Sequence, residues 1–275
     1  MKPIRTALAG RRVRRLSERG FTLIEIAISL GVIAFALIAI IGILPMGMNV
    51  QKENREETII NQDATVLMNA ICNGERGLND LTNYVVAITN FATPYDARGG
   101  QSGPTQANWY TPTMSSTSPV FPLVNGYRIV GLLSTPKYIP LPPAQGGPSP
   151  GFLSNYVVAV FRAMSGPAND KFPQSNPSVK DFAFTYKVFP SVVPFIAPPA
   201  GPGINDAAAT RNLERNLHDV RLTFRWPLLN RTLGNGRQVY RTMAGGRLLP
   251  IQEPAFPAPE CTLHFFEPRT YVQAP

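Results

Sequence analysis

Charge is scarce in this chain, at 16% of 275 residues, and cysteine and histidine are scarcer still, at two each. Neither Cys72 nor Cys261 has a CxxC partner, which excludes a cysteine-rich zinc site and a thioredoxin-type dithiol. No HExxH, GxSxG or phosphate-loop pattern occurs. The stretch "GQSGP" (100–104) resembles a nucleophile loop only loosely and follows no predicted strand. "GPGINDAAAT" (201–210) lacks the carboxylate spacing of a calcium hand. His218 and His264 are isolated and read as structural or surface residues. No enzyme activity, metal site or cofactor is therefore expected, with a single loop-bound calcium left open. The largest absence is of charge. Between Phe21 and Val50 the only charged residue is Glu25.

The net charge of +9 suggests nucleic acid at first sight, but its distribution argues otherwise. Lys2, Arg5, Arg11, Arg12, Arg14, Arg15 and Arg19 oppose only Glu18 in the first 20 residues, and the rest of the chain is close to balanced. A basic tail directly before an apolar run is a topology signal. The run from Phe21 exceeds the roughly 20 residues that cross a bilayer. It is too long for a secretory signal core, and Leu44-Pro45-Met46 is a poor match to a small-residue cleavage site. The run is therefore expected to stay in the protein as a single span. The arginines before it mark a cytoplasmic N-terminus, with the rest of the chain outside the cytoplasm.

A carboxylate in such a run costs about 2.5 kcal/mol or more at the bilayer centre, so Glu25 needs a reason. The stretch "RGFTLIEIAISLGVIAFALIAI" resembles the N-terminus of type IV pilin-like proteins, which include the pseudopilins of type II secretion. The residues that carry the likeness are Gly20, Phe21, Thr22, Leu23, Ile24 and Glu25, followed by the apolar helix, about 30 residues in all. The resemblance implies cleavage between Gly20 and Phe21 by a membrane prepilin peptidase, then N-methylation of Phe21. The chain would be a substrate of those reactions. A 20-residue leader is longer than in many members of the family. It further implies assembly into a filament through this helix, with Thr22, Leu23, Ile24 and Glu25 in the contact. The partners implied are other pilin or pseudopilin subunits, the prepilin peptidase/methyltransferase and the inner-membrane assembly platform. The residues alone are consistent with this. Gly20 lets an extended backbone enter a protease cleft. After cleavage Glu25 lies one turn into the helix, where an acid is stabilised by the helix dipole and can pair with a neighbour's Phe21 amine.

Beyond the apolar run, "QKENREETIINQDATVLMNAIC" (51–72) is polar, with Ile60, Ala64, Leu67 and Ile71 forming one stripe. It reads as a continuation of the same helix, stopped by Asn73-Gly74. Gly42, Pro45 and Gly47 mark a predicted kink, two separate helices being the alternative.

The remainder alternates short apolar runs with Pro- and Gly-rich stretches, in keeping with 28 prolines and 22 glycines. Strands are predicted at 84–89, 126–133, 156–162, 181–189, 219–226, 237–243 and 262–266, and loops at 91–122, 136–151, 165–179 and 190–206. A short helix fits 205–217. Val220, Leu222, Phe224 and Trp226 alternate with polar neighbours, and Gly234-Asn235-Gly236 reads as the turn to the next strand. Arg221, Arg225, Arg237 and Arg241 then share a face, read as solvated or as a contact for an anionic partner. If the domain lies outside the cytoplasm, Cys72 and Cys261 form one disulfide or stay as two buried thiols.

The organisation expected is a cleaved basic leader over 1–20, an N-terminal helix over 21–72 that spans the membrane over about 21–46, and an extracytoplasmic β-rich domain over 73–275. The fold class is α+β, a long helix packed on a mainly antiparallel sheet with long Pro/Gly-rich loops. The expected function is a structural subunit, of minor type, of a type IV pilus or type II secretion filament. It waits in the inner membrane and then joins a periplasmic or surface filament. The alternative is a membrane-anchored extracytoplasmic binding protein or adhesin.

Overall fold

A computed structural model of the chain describes residues 20–112, 120–141, 151–166, 184–196, 207–229, 232–252 and 262–273. They form two compact units, which part between Arg55 and Glu56. Helix α1 (Leu23–Cys72) runs unbroken through both, and through Gly42, Pro45 and Gly47. In the first unit every residue from Leu23 to Val50 is exposed, and this stretch is long and apolar enough to cross a membrane.

In the second unit the predicted stripe is buried. Ile60, Ala64, Leu67 and Ile71 have no exposed surface and join one hydrophobic core with the strands. The stop at Asn73-Gly74 is a Schellman turn, in which the Gly74 N–H donates to the Ile71 carbonyl and the Glu75 N–H to that of Ala70. Gly74 has φ +59°, and a Cβ there would lie 2.0 Å from the Phe266 carbonyl oxygen. Gly74→Ala is therefore expected to cost at least about 1–2 kcal/mol from the left-handed backbone alone. A lowered unfolding midpoint of the full chain in detergent checks it.

The fold is α+β, as expected. After α2 (Leu81–Tyr84), the strands β1 (Val85–Tyr95), β2 (Gln106–Thr111), β3 (Val120–Pro122), β4 (Tyr138–Pro140), β5 (Phe152–Arg162), β6 (Thr185–Pro194), β7 (Leu217–Leu229) and β8 (Thr232–Gly245) build an eight-stranded sheet. Its order is β3-β2-β1-β5-β6-β7-β8, with β4 also paired to β5. All pairs are antiparallel except β2 with β3. β9 (Arg247–Gln252) and β10 (Thr262–Glu267) form a separate antiparallel pair. The predicted short helix is α4 (Ala207–Asn216).

Three expectations need correction. "GYRIVGLL" (126–133) is helix α3 (Gly126–Leu133), not a strand. The Asn125 side chain caps it by accepting from the Arg128 N–H at 3.0 Å. At eight residues it is short and almost wholly buried, and an apolar run of that length reads alike as a strand or a helix. Gly126 and Gly131 let it approach Leu78 and β10 closely, since a Cβ at Gly131 would lie 2.8 Å from Phe265. Next, the stretch 91–122 is not one loop. Backbone pairing places the end of β1, β2 and β3 there, while 190–194 extend β6 and 138–140 form β4. Lastly, the β7–β8 pairing runs on to Leu229 opposite Thr232, so Gly234, Asn235 and Gly236 lie inside β8 and not at its turn. Gly236 serves packing, because the Trp226 indole occupies the space a Cβ would need, 2.6 Å away.

Candidate functional site

The motif residues sit at the head of α1. The Glu25 Oε2 atom accepts from the Thr22 backbone N–H and from the Thr22 hydroxyl, both at 2.8 Å. The Thr22 Oγ1 in turn accepts from the Glu25 N–H at 3.4 Å. This is a capping box: a threonine N-cap and a glutamate three residues on satisfy donors that the helix itself leaves orphaned. Glu25 therefore has a role within its own chain, and the Thr-x-x-Glu spacing is the sequence signal for it. Its Oε1 makes no hydrogen bond among the described residues.

Phe21 is 84% exposed and Leu23 87%, so none of the described residues covers them. A Cβ at Gly20 would meet nothing within 4 Å. The described residues place no demand for glycine there. Gly42 and Gly47 are equally open, so they are not close-approach sites among the described residues.

The hairpin arginines pair across the strands in register, Arg221 with Arg241 and Arg225 with Arg237. Like charges set opposite one another repel, and Asp219 relieves one pair by accepting from Arg221 Nη2 at 2.6 Å and Arg241 Nε at 2.7 Å. Burial works to raise the Asp219 pKa, but these hydrogen bonds and charges hold it below the usual carboxylate range. The face is thus partly compensated. Cys72 is half-buried, and burial pushes its thiol pKa up. Cys261 lies outside the described residues, and with it the proposed disulfide.

The structure brings together what the sequence kept apart. His218 on β7 and His264 on β10 line one cleft of about 500 Å³ together with Arg215 and Arg247. Both imidazoles are buried, 6% and 5% exposed. Burial lowers the pKa of His218 and takes that of His264 down to about 4, with the Thr262 carbonyl opposing the shift. Both rings are therefore neutral at pH 7. No group of three or more His, Cys, Asp or Glu side chains suited to a metal occurs among the described residues. No protein-family model, curated protein or solved structure matches the chain.

Proposed function

We propose that the chain is a structural subunit of a type IV pilin-like filament, a minor pilin or a type II secretion pseudopilin. It is held first in the inner membrane by residues of about 21–46 and then packed through that helix against other subunits. The observation that carries this reading is the head of α1. A run free of charge but for Glu25, exposed from end to end, begins at Gly-Phe-Thr-Leu-Ile-Glu with Thr22 and Glu25 locked in a capping box. Such a surface is stable only in lipid or against other apolar helices.

Cleavage after Gly20 removes the basic tail and frees the amine of Phe21 beside the helix start. Oε1 of Glu25 in an adjacent subunit is then the acceptor for that amine, while Oε2 keeps the cap. Pairing relieves the cost of an unmatched carboxylate in an apolar contact and fixes axial register. Repetition of one such head-to-tail contact builds an open helical filament. The folded domain from Glu56 onward is carried outside the cytoplasm on this helix.

The reading is tested by isolating filaments, sheared from the surface or released from the periplasm, from cells that make the chain and its partner subunits. Recovery of the chain with the isolated filaments is expected. Recovery only in the inner membrane overturns the reading in favour of an anchored binding protein.

A further inference from the structure

Strand β8 ends the eight-stranded sheet. β7 pairs with one side of it from Thr232 to Gly245, and no described strand pairs with the other. An end strand presents a row of unmatched N–H and C=O groups, which is a template for a further strand. Proteins blunt such edges with short strands, prolines, charges or a covering element. β8 has 14 residues and no proline. Its outward face exposes Val239 and Met243, at 47% and 41%.

Bonds to α1 hold this strand from its other face. The Gln238 side chain donates to Asn61 Oδ1 at 3.2 Å, and the Tyr240 hydroxyl donates to the same atom. The edge is therefore ordered before any partner arrives, which lowers the cost of binding there.

The outward face carries charge of nearly one sign. Across β6, β7 and β8 the charged side chains are Lys187, Arg221, Arg225, Arg237 and Arg241, against the one acid Asp219. Their register puts all of them on the same face. Asp219 serves Arg221 and Arg241. Lys187 lies opposite Arg225, and Arg225 opposite Arg237. None of these three has an ion-pair partner among the described residues. Like charges set opposite one another destabilise a sheet, so the fold does not account for this row. Charges that only guard an edge would sit on β8, whereas this row runs inward over β7 and β6.

We propose that β8 takes up an extended acidic segment of a partner protein as an added strand. Its acids lie opposite Arg237 and Arg241, and its apolar side chains opposite Val239 and Met243. Main-chain hydrogen bonds supply affinity in such an addition, and the alternating side chains supply selectivity. An acid beside Arg237 completes the row that Lys187 and Arg225 begin. Charge selects this occupant over a second copy of the chain, because pairing β8 with another β8 brings two sets of arginines together. A nucleic acid would meet the arginines but leave the strand edge unused. The inference goes beyond the filament reading and does not depend on it.

The test uses the full chain in detergent micelles at low salt. The parent probe is a fluorescent peptide, Thr-Glu-Thr-Val-Thr-Glu-Thr-Val-Thr, followed by anisotropy. One control has lysine for both glutamates. A second is N-methylated at the central threonine and the glutamate after it, which keeps the charge; successive N–H groups point to opposite sides, so one of the two blocked groups is needed by β8. A third is a short oligothymidylate. The parent is expected to bind saturably, and each control at least tenfold more weakly. Hydrogen exchange read by mass spectrometry is expected to slow at least tenfold in β8 when the parent is bound. Arg237→Glu gains Arg225 as a partner across the strands, so the variant keeps the fold. It is expected to weaken the parent at least threefold and to tighten the lysine peptide. Equal binding of the N-methylated peptide or of oligothymidylate, or unchanged exchange in β8, would reduce the site to an electrostatic surface and overturn the proposal. So would no saturable binding of the parent, or unchanged affinities in Arg237→Glu.

Discussion

Replacing Asp63 by alanine is expected to destabilise the folded domain by roughly 3–5 kcal/mol, because it orphans four donors, one buried and three part-buried, at about 1 kcal/mol or more each, with part recovered by water. Asp63 lies on α1 with 1% of its surface exposed. Its Oδ1 accepts from the Ser165 N–H at 3.0 Å and the Ser165 hydroxyl at 2.7 Å, and its Oδ2 from the Met164 N–H and the Tyr186 hydroxyl, both at 2.9 Å. One carboxyl group thus fastens the helix to the end of β5 and to β6. Burial raises its pKa and the four hydrogen bonds act to lower it, with burial prevailing. Between the ordinary carboxylate range and the raised value, the folded state binds a proton more tightly than the unfolded chain. Stability from this group is greatest below the ordinary carboxylate range and declines as pH rises through the raised value. Asparagine is no rescue, because its NH2 must face either the Met164 or the Ser165 N–H. Tyr186→Phe removes one bond of the four and is expected to cost only about 1 kcal/mol. Urea unfolding of the three variants ranks them. A loss within about 0.5 kcal/mol for Asp63→Ala, typical of an uninvolved surface site, would contradict the assignment.

The second large effect concerns Glu25. Glu25→Leu is expected to leave membrane insertion intact and to reduce recovery in isolated filaments at least tenfold, since unmatching a buried charge pair costs about 3–5 kcal/mol. The same substitution also breaks the capping box with Thr22, which is worth about 1 kcal/mol to the helix. Glu25→Gln separates the two causes. Glutamine keeps the box but cannot form an ion pair with the Phe21 amine. Comparable assembly loss in both variants assigns the effect to charge. Normal assembly of the glutamine variant assigns it to the cap, and normal assembly of both removes Glu25 from the contact.

The parts of the fold legible in the sequence were those governed by local rules. The stripe Ile60, Ala64, Leu67, Ile71, the glycine stop after Cys72 and the alternation Val220 to Trp226 each arise from a periodicity or a turn residue within a few positions. What was not legible depended on distant partners. Asp63 looks like an ordinary polar residue beside an apolar stripe, because Met164, Ser165 and Tyr186 lie more than 100 residues on. Helix α3 hid among the strands because it is short and buried on nearly every side. The same holds for the candidate sites. The Thr22–Glu25 box lies within four residues and was readable. His218 and His264 each look solitary in sequence, since only the approach of β10 to the start of β7 puts them in one cleft with Arg215 and Arg247. Gly236 resembles a turn residue in sequence, because sequence shows that a glycine is needed but not that an indole lies over it.

The filament account turns on what happens between Gly20 and Phe21. The direct measurement is mass spectrometry of the chain's N-terminus, recovered from cells with an active prepilin peptidase. The account predicts a mature chain that begins at N-methylated Phe21. A chain that keeps Met1 to Gly20 under those conditions would contradict it.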